Sequence, residues 1–217
     1  MNVIPVINCP DESCAREKFA VLKKFLPAGS FVHADITDGV WSTHATFSDP
    51  SEWARLALPF ALEAHLMVER PEEIADDWFT AGARRIIVHL ETVDGTGIYR
   101  LLELAARHQA ELMLSIAPGT DTGSLEPLIA RFDERLAAFQ VLAVHPGAAG
   151  QRFGNEAIAR IISLRGLAPH ATIEVDGGMN PETVRLVKNA GADTIVSASY
   201  IFNSGDPERA YEELKEI

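Results

Sequence analysis

Cysteine, lysine and long apolar runs are all scarce in this chain of 217 residues. The 2 cysteines, Cys9 and Cys14, are too few for a disulfide-stapled scaffold, and with no second pair nearby they do not make a zinc knuckle. Both read as free thiols that pack as small buried hydrophobes. No stretch approaches the roughly 18 consecutive apolar residues of a membrane span. The start, Met1-Asn2-Val3-Ile4-Pro5, has no basic segment followed by an apolar one, so the expected location is the cytoplasm. Positive charge is short as well, with 19 Lys+Arg against 31 Asp+Glu and a net charge of −12. That balance argues against nucleic acid and against an anionic membrane as partners. The only lysines, Lys18, Lys23, Lys24, Lys188 and Lys215, fall in expected helices or the C-terminal tail. A Schiff-base mechanism, which needs a lysine inside the site, is therefore disfavoured. No Gly-x-Ser-x-Gly elbow occurs, and no Gly-x-Gly-x-x-Gly follows the first apolar run.

What is present is a regular alternation of short apolar runs with longer amphipathic ones. Eight strands are expected: Val3–Ile7, Phe31–Ile36, Leu62–Met67, Arg85–His89, Glu111–Ile116, Phe139–Val144, Thr172–Val175 and Thr194–Val196. Helical patterns separate them at Ala15–Phe25, Glu72–Ala81, Ile98–Arg107, Glu156–Arg165, Pro181–Ala190 and Pro207–Glu216. The connections after the second and fifth strands are less regular. Arg70-Pro71-Glu72, Asn180-Pro181-Glu182 and Asp206-Pro207-Glu208 each place proline and an acid in a first turn, where neither loses a bond and the acid suits the helix dipole. Gly82 and Gly191 close two helices. The repeating unit is strand then helix, and eight units at this length make a compact (β/α)₈ TIM barrel over residues 1–217, one α/β domain with no linker or composition break.

In such a barrel the strands' carboxyl ends carry the chemistry. Polar residues gather there: Asn8, His33, Asp35, His65, His89, Glu91, Asp176 and Ser199. His33 and Asp35 are two apart in one strand and so share a face. With His65 and Asp176 they form a mixed N/O set suited to one divalent transition metal ion, Zn²⁺, Fe²⁺, Mn²⁺ or Co²⁺; ordinary core histidines and surface carboxylates are the competing reading. His89 and Glu63 are candidates to orient a ligand, with ordinary hydrogen bonding as the equal alternative. Glycine-rich or small-residue segments follow strands six, seven and eight: Gly147-Ala148-Ala149-Gly150, Gly177-Gly178 and Ala198-Ser199. Backbone N–H groups in such loops approach a phosphate closely, so an acidic chain can hold a dianion without a basic patch. His145 stands near the mouth, while Trp41, Trp53 and Trp78 read as packing residues.

The ordered set His33-Ala34-Asp35-Ile36-Thr37-Asp38-Gly39, His65-Leu66-Met67-Val68, His89-Leu90-Glu91, Ala117-Pro118-Gly119-Thr120, Pro146-Gly147-Ala148-Ala149-Gly150-Gln151-Arg152-Phe153 and Glu174-Val175-Asp176-Gly177-Gly178 resembles the ribulose-phosphate 3-epimerases. The resemblance spans nearly the whole chain. It implies that His33, Asp35, His65 and Asp176 bind a metal, and that Asp35 and Asp176 are acid and base on opposite faces of a sugar carbon. It further implies that Gly147 to Gly150, Gly177, Gly178, Ala198 and Ser199 hold the phosphate of a ketose phosphate, by default the D-ribulose 5-phosphate and D-xylulose 5-phosphate pair. A homo-oligomer is compatible with it. The sugar-facing wall departs from the family at Val6, where a serine is usual, at Thr37 and Leu142, where methionines are usual, and at Ala148, where phenylalanine is usual; Asn8 and Met67 complete that wall. These departures keep open a sister epimerase for a tetrulose or hexulose phosphate and a non-catalytic phosphosugar-binding barrel. A decarboxylase of similar fold is disfavoured, since its Asp-x-Lys pair is missing here.

Overall fold

A computed structural model describes residues 1–132, 135–136 and 138–217. Strands β1 (Asn2–Ile7), β2 (Phe31–Thr37), β3 (Ala61–Met67), β4 (Arg85–His89), β5 (Glu111–Ile116), β6 (Ala138–Leu142), β7 (Thr172–Asp176) and β8 (Thr194–Ser197) follow the expected order. All pair in parallel and close into one barrel, with β1 returning to β8 through Asn2↔Thr194 and Pro5↔Ser197.

Helices α1 (Glu12–Leu22), α3 (Pro71–Thr80), α4 (Gly95–Arg107), α6 (Glu156–Leu167), α7 (Pro181–Ala190) and α9 (Pro207–Lys215) occupy the six expected places. The irregular connections hold two more, α2 (Pro50–Ala57) and α5 (Glu126–Phe132), and α8 (Ser199–Phe202) is a single turn after β8. α1 starts three residues earlier than expected because Asp11 caps it, accepting from the Cys14 N–H at 2.9 Å. Gly82 and Gly191 end α3 and α7 at φ 97° and 108°, the left-handed geometry that suits glycine.

Strand alternation sorts the side chains into two environments. Val32, Ala34, Ile36, Ala64, Leu66, Ile86 and Val88 face outward and join Phe19, Trp53 and Trp78 in the layer between sheet and helices. The alternate positions face the barrel interior, which is only partly apolar. Ile4, Val6 and Val196 form one inner cluster and Ile87, Met113 and Ala138 another. Other inner positions carry His33, Asp35, Glu63, His65, His89, Ser115, Gln140 and Glu174, all buried. Polar groups there require partners, because each one left unpaired costs about 1–3 kcal/mol.

The reading of Cys9 and Cys14 as free thiols is corrected: the two are joined in a disulfide. The Asp11 cap folds the chain back as it leaves β1, and the two Cα atoms come to 5.6 Å, inside the range that a bridge spans. Among the described residues no helix is long and apolar enough to cross a membrane.

Candidate active site

β2 delivers His33 and Asp35 to the barrel interior, β3 delivers His65 from the adjacent register (Asp35↔His65), and β7 supplies Asp176. One ligand atom from each of the four lies within 4.8 Å of the other three. His33 Nε2 is 3.2 Å from both Asp35 Oδ1 and His65 Nδ1. His65 Nδ1 in turn is 3.4 Å from Asp35 Oδ1 and 3.5 Å from Asp176 Oδ2. Ligands about 2.1 Å from a shared cation are spaced by roughly 3.0–3.4 Å, so the four groups fit a divalent ion.

The groups behind the two imidazoles favour the same orientation. His33 Nδ1 lies 2.7 Å from Glu63 Oε1, so its N–H donates outward and Nε2 turns its lone pair to the other ligands. His65 Nε2 is 2.8 Å from His89 Nε2, and His89 Nδ1 is 3.3 Å from Glu91. Burial pushes His89 down to about 4, so it is neutral near pH 7. With its Nδ1–H donated to Glu91, its Nε2 accepts from His65, whose Nδ1 is then free. Trp41 covers His89 with ring centroids 4.5 Å apart. Glu91, held by the Ala117 N–H at 2.9 Å and the Thr120 hydroxyl, is drawn down to about 2 although burial opposes the shift.

Without a cation, protons gather in the same space. Burial disfavours charge on His33 and His65, yet Asp35 and Glu63 raise the first well above the ordinary histidine value, and Asp176 and Asp35 raise the second. Asp35, buried, is held below the usual carboxylate range by both imidazoles.

A polar floor lies beneath. Arg85 pairs with Glu63 and with Glu111, and Ser115 donates to Gln140 at 2.7 Å. Gln140 donates to Glu174 Oε1 at 3.0 Å. Burial and the nearby Glu63 charge push Glu174 up to about 8. Arg85, Gln140 and Glu174 were absent from the expected site. The signal for them is the two-residue strand period: Glu63 precedes His65, and Glu174 precedes Asp176, by two.

Above the ligands opens a cavity that gathers most of the expected residues. Val6, Asp35, Met67 and Leu142 form its inner wall. Gly147, Ala148, Ala149, Gly150, Gly177, Gly178, Ala198 and Ser199, from three separate loops, form its rim. Asp176 and His145 line it too. Gly178, at φ 70°, sits so close to the chain that an added Cβ would lie 2.5 Å from the Phe153 nitrogen, and only glycine brings this backbone to the cavity without a clash. Two expected wall residues stand apart from the lining. Asn8 donates to Asp35 Oδ2 and to the Gly147 carbonyl, both at 2.9 Å, which ties a ligand to the first small-residue loop. Thr37 is buried, and its hydroxyl has no partner among the described residues.

The sequence model of the ribulose-phosphate 3 epimerase family matches residues 12–202. The chain belongs to the ribulose-phosphate 3-epimerase family. The ribulose-phosphate 3-epimerase of Chlamydia pneumoniae is 34% identical over 191 residues, covering 84% of this chain and 80% of that protein. That of Mycobacterium tuberculosis is 30% identical over 191 residues, covering 85% and 80%. Among solved structures, 3-hexulose-6-phosphate synthase from Salmonella typhimurium superposes with a TM-score of 0.78 at 15% identity, covering 100% of this chain and 97% of that one. Orotidine 5'-phosphate decarboxylase from Pyrococcus horikoshii gives 0.67 at 17%, covering 99% and 100%. At these identities the two structures speak for the barrel alone. The family places the chain among the isomerases, as an epimerase acting on carbohydrates.

Proposed function

We propose that the protein epimerises a ketose phosphate at C3, with D-ribulose 5-phosphate and D-xylulose 5-phosphate as the default pair. The observation that carries this reading is the placement of two carboxylates, Asp35 and Asp176, on one cavity with two imidazoles beside them. His33, Asp35, His65 and Asp176 would hold one divalent transition ion, Zn²⁺, Fe²⁺, Mn²⁺ or Co²⁺. When bound, it supplies Lewis-acid stabilisation of the negative charge that builds on the substrate's oxygens. Asp35 takes the C3 proton from one face, and the electron pair left behind moves into the neighbouring carbonyl. Asp176 returns a proton from the other face, and C3 inverts; the reverse reaction exchanges the roles. Asn8 fixes Asp35 Oδ2 for that transfer. Backbone N–H groups of Gly147 to Gly150, Gly177, Gly178, Ala198 and Ser199 would receive the phosphate.

Incubation in D₂O with a panel of C4 to C6 ketose phosphates tests the reading. Deuterium at C3 of ribulose 5-phosphate is expected, and a stronger response from a tetrulose or hexulose phosphate would assign Val6, Leu142 and Ala148 to a different sugar. Exchange with none of them would refute epimerisation, and full turnover by Asp176→Asn would refute its role as the proton donor. We place the protein in the cytoplasm, the compartment in the printed name of the Oryza sativa relative, "cytoplasmic isoform".

A further inference from the structure

The rim of small residues has a charged neighbour that the mechanism does not use. Lys18 projects from α1 into a second cavity, whose lining includes Ala149, Gly150, Ala198, Ser199 and Phe202. The first four of these also line the cavity above Asp35 and Asp176. The two spaces meet at the proposed phosphate loops. Lys18 is half-buried, with its ammonium 3.0 Å from the Asn8 carbonyl and 5.2 Å from the centre of the Phe202 ring. An ammonium carries three N–H donors. The Asn8 carbonyl takes one, and among the described residues no carboxylate pairs with this lysine.

Burial works against the charge of Lys18 and lowers its pKa, although the Asp35 charge opposes that shift. The Phe202 ring and the Asn8 carbonyl hold the head beside the cavity that Gly150 and Ser199 also line. In a chain of net charge −12, a fixed cation at this place is a local exception to the overall sign. The remaining lysines, Lys23, Lys24, Lys188 and Lys215, line neither cavity.

We infer that Lys18 is a substrate-binding residue, the single lysine that meets the phosphate dianion where it rests on the Gly147–Gly150 and Ala198–Ser199 loops. This rests on the proposed ketose phosphate substrate and adds a point charge to what is otherwise a cradle of backbone N–H groups. A hydrogen bond to a charged group contributes about 1.5–3 kcal/mol, which corresponds to roughly tenfold to a hundredfold in affinity.

The test is calorimetric titration of the metal-loaded protein with inorganic phosphate, alongside steady-state kinetics on the best ketose phosphate. Lys18→Met is expected to weaken phosphate binding by about tenfold to a hundredfold and to raise KM in parallel, with the larger part of the loss in KM rather than kcat. Lys18→Arg should recover most of the affinity. Were Lys18 merely a prop for Asn8, the loss would fall on kcat through Asp35 and phosphate affinity would stay at the wild-type value, which would overturn the inference while leaving epimerisation standing. Wild-type protein that neither binds phosphate nor turns over any ketose phosphate would remove both. A measurement on unaltered protein guards against a variant that fails to fold. Saturating phosphate should protect Lys18 from reductive methylation, read by mass spectrometry, and Lys18 labelling that phosphate leaves unchanged would overturn the assignment.

Discussion

Replacing Glu63 by glutamine and Arg85 by methionine, singly and together, dissects the support under His33. Glu63 is completely buried and Arg85 keeps 13% of its side chain exposed. Removing one partner of such a pair costs about 3–5 kcal/mol, because the remaining charge loses its compensation. Arg85→Met strands Glu63 beside Glu174, which lies fully buried as well. Glu63→Gln keeps the volume but gives up the charge-assisted bond to His33 Nδ1, an interaction of about 1.5–3 kcal/mol. In a domain of this size 1 kcal/mol moves Tm by roughly 2–4 °C, so each single variant should melt about 6–20 °C lower. The double variant should lose less than the sum of the two, since no charge is stranded, with a coupling of about 1–3 kcal/mol. Urea unfolding of chelator-treated protein measures the cycle. Metal titration separates the two residues: Glu63→Gln should weaken metal binding by about tenfold to a hundredfold through loss of imidazole orientation, and Arg85→Met should weaken it less. Additive single effects together with unchanged metal affinity in Glu63→Gln would refute the account of the polar floor.

Two further outcomes follow from the same geometry. Glu91 has a folded-state pKa of about 2, below the ordinary 4.5, so its contribution is full above pH 4.5 and is lost as pH falls through 2; because the residue is exposed, solvent screening holds that contribution to about 1 kcal/mol. Glu91→Gln should therefore flatten the loss of stability between pH 5 and 2 seen in acid unfolding, and a variant with the wild-type acid profile would contradict this. Gly178→Ala sets a Cβ 2.5 Å from the Phe153 nitrogen at φ 70°, whereas Gly29→Ala, at φ 82°, meets nothing within 4 Å. Calorimetry should show Gly178→Ala more destabilising by about 1–3 kcal/mol, and equal costs would mean that the Gly178 loop yields freely.

The barrel was legible because its signal repeats. Eight apolar runs and the proline-led helices at Pro71, Pro181 and Pro207 carry the same pattern each time. α2 has that signal in weaker form: Asp49 caps it, accepting from Ser51 and Glu52, and Pro50 opens it, yet it spans only Pro50–Ala57. The side chains gathered at the cavity were legible where strand alternation applies, at His33, Asp35, His65 and Asp176. What escaped the sequence depends on packing between distant segments. Lys18 reads as an ordinary helix-surface lysine until α1 lies over Asn8 and Phe202. The disulfide escaped because a separation of five residues becomes a short Cα–Cα distance only once Asp11 turns the chain. Glu174 looked like part of a glycine motif, and its role under His33 emerges from the register Gln140↔Glu174 and the closure of the barrel.

The closure of β1 against β8 has a further consequence for how the molecule is put together. His33, Asp35 and His65 lie in the first third of the chain, and the three small-residue loops, with Asp176 among them, lie in the last third. Early segments thus carry most of the His/Asp cluster and late ones most of the small-residue rim. A ligand that touches both is a brace between halves of the polypeptide that share no loop, and it can be gripped only after the last strand has docked. Exchange of the C-terminal third between relatives would accordingly alter the small-residue rim while leaving three of the four clustered side chains in place.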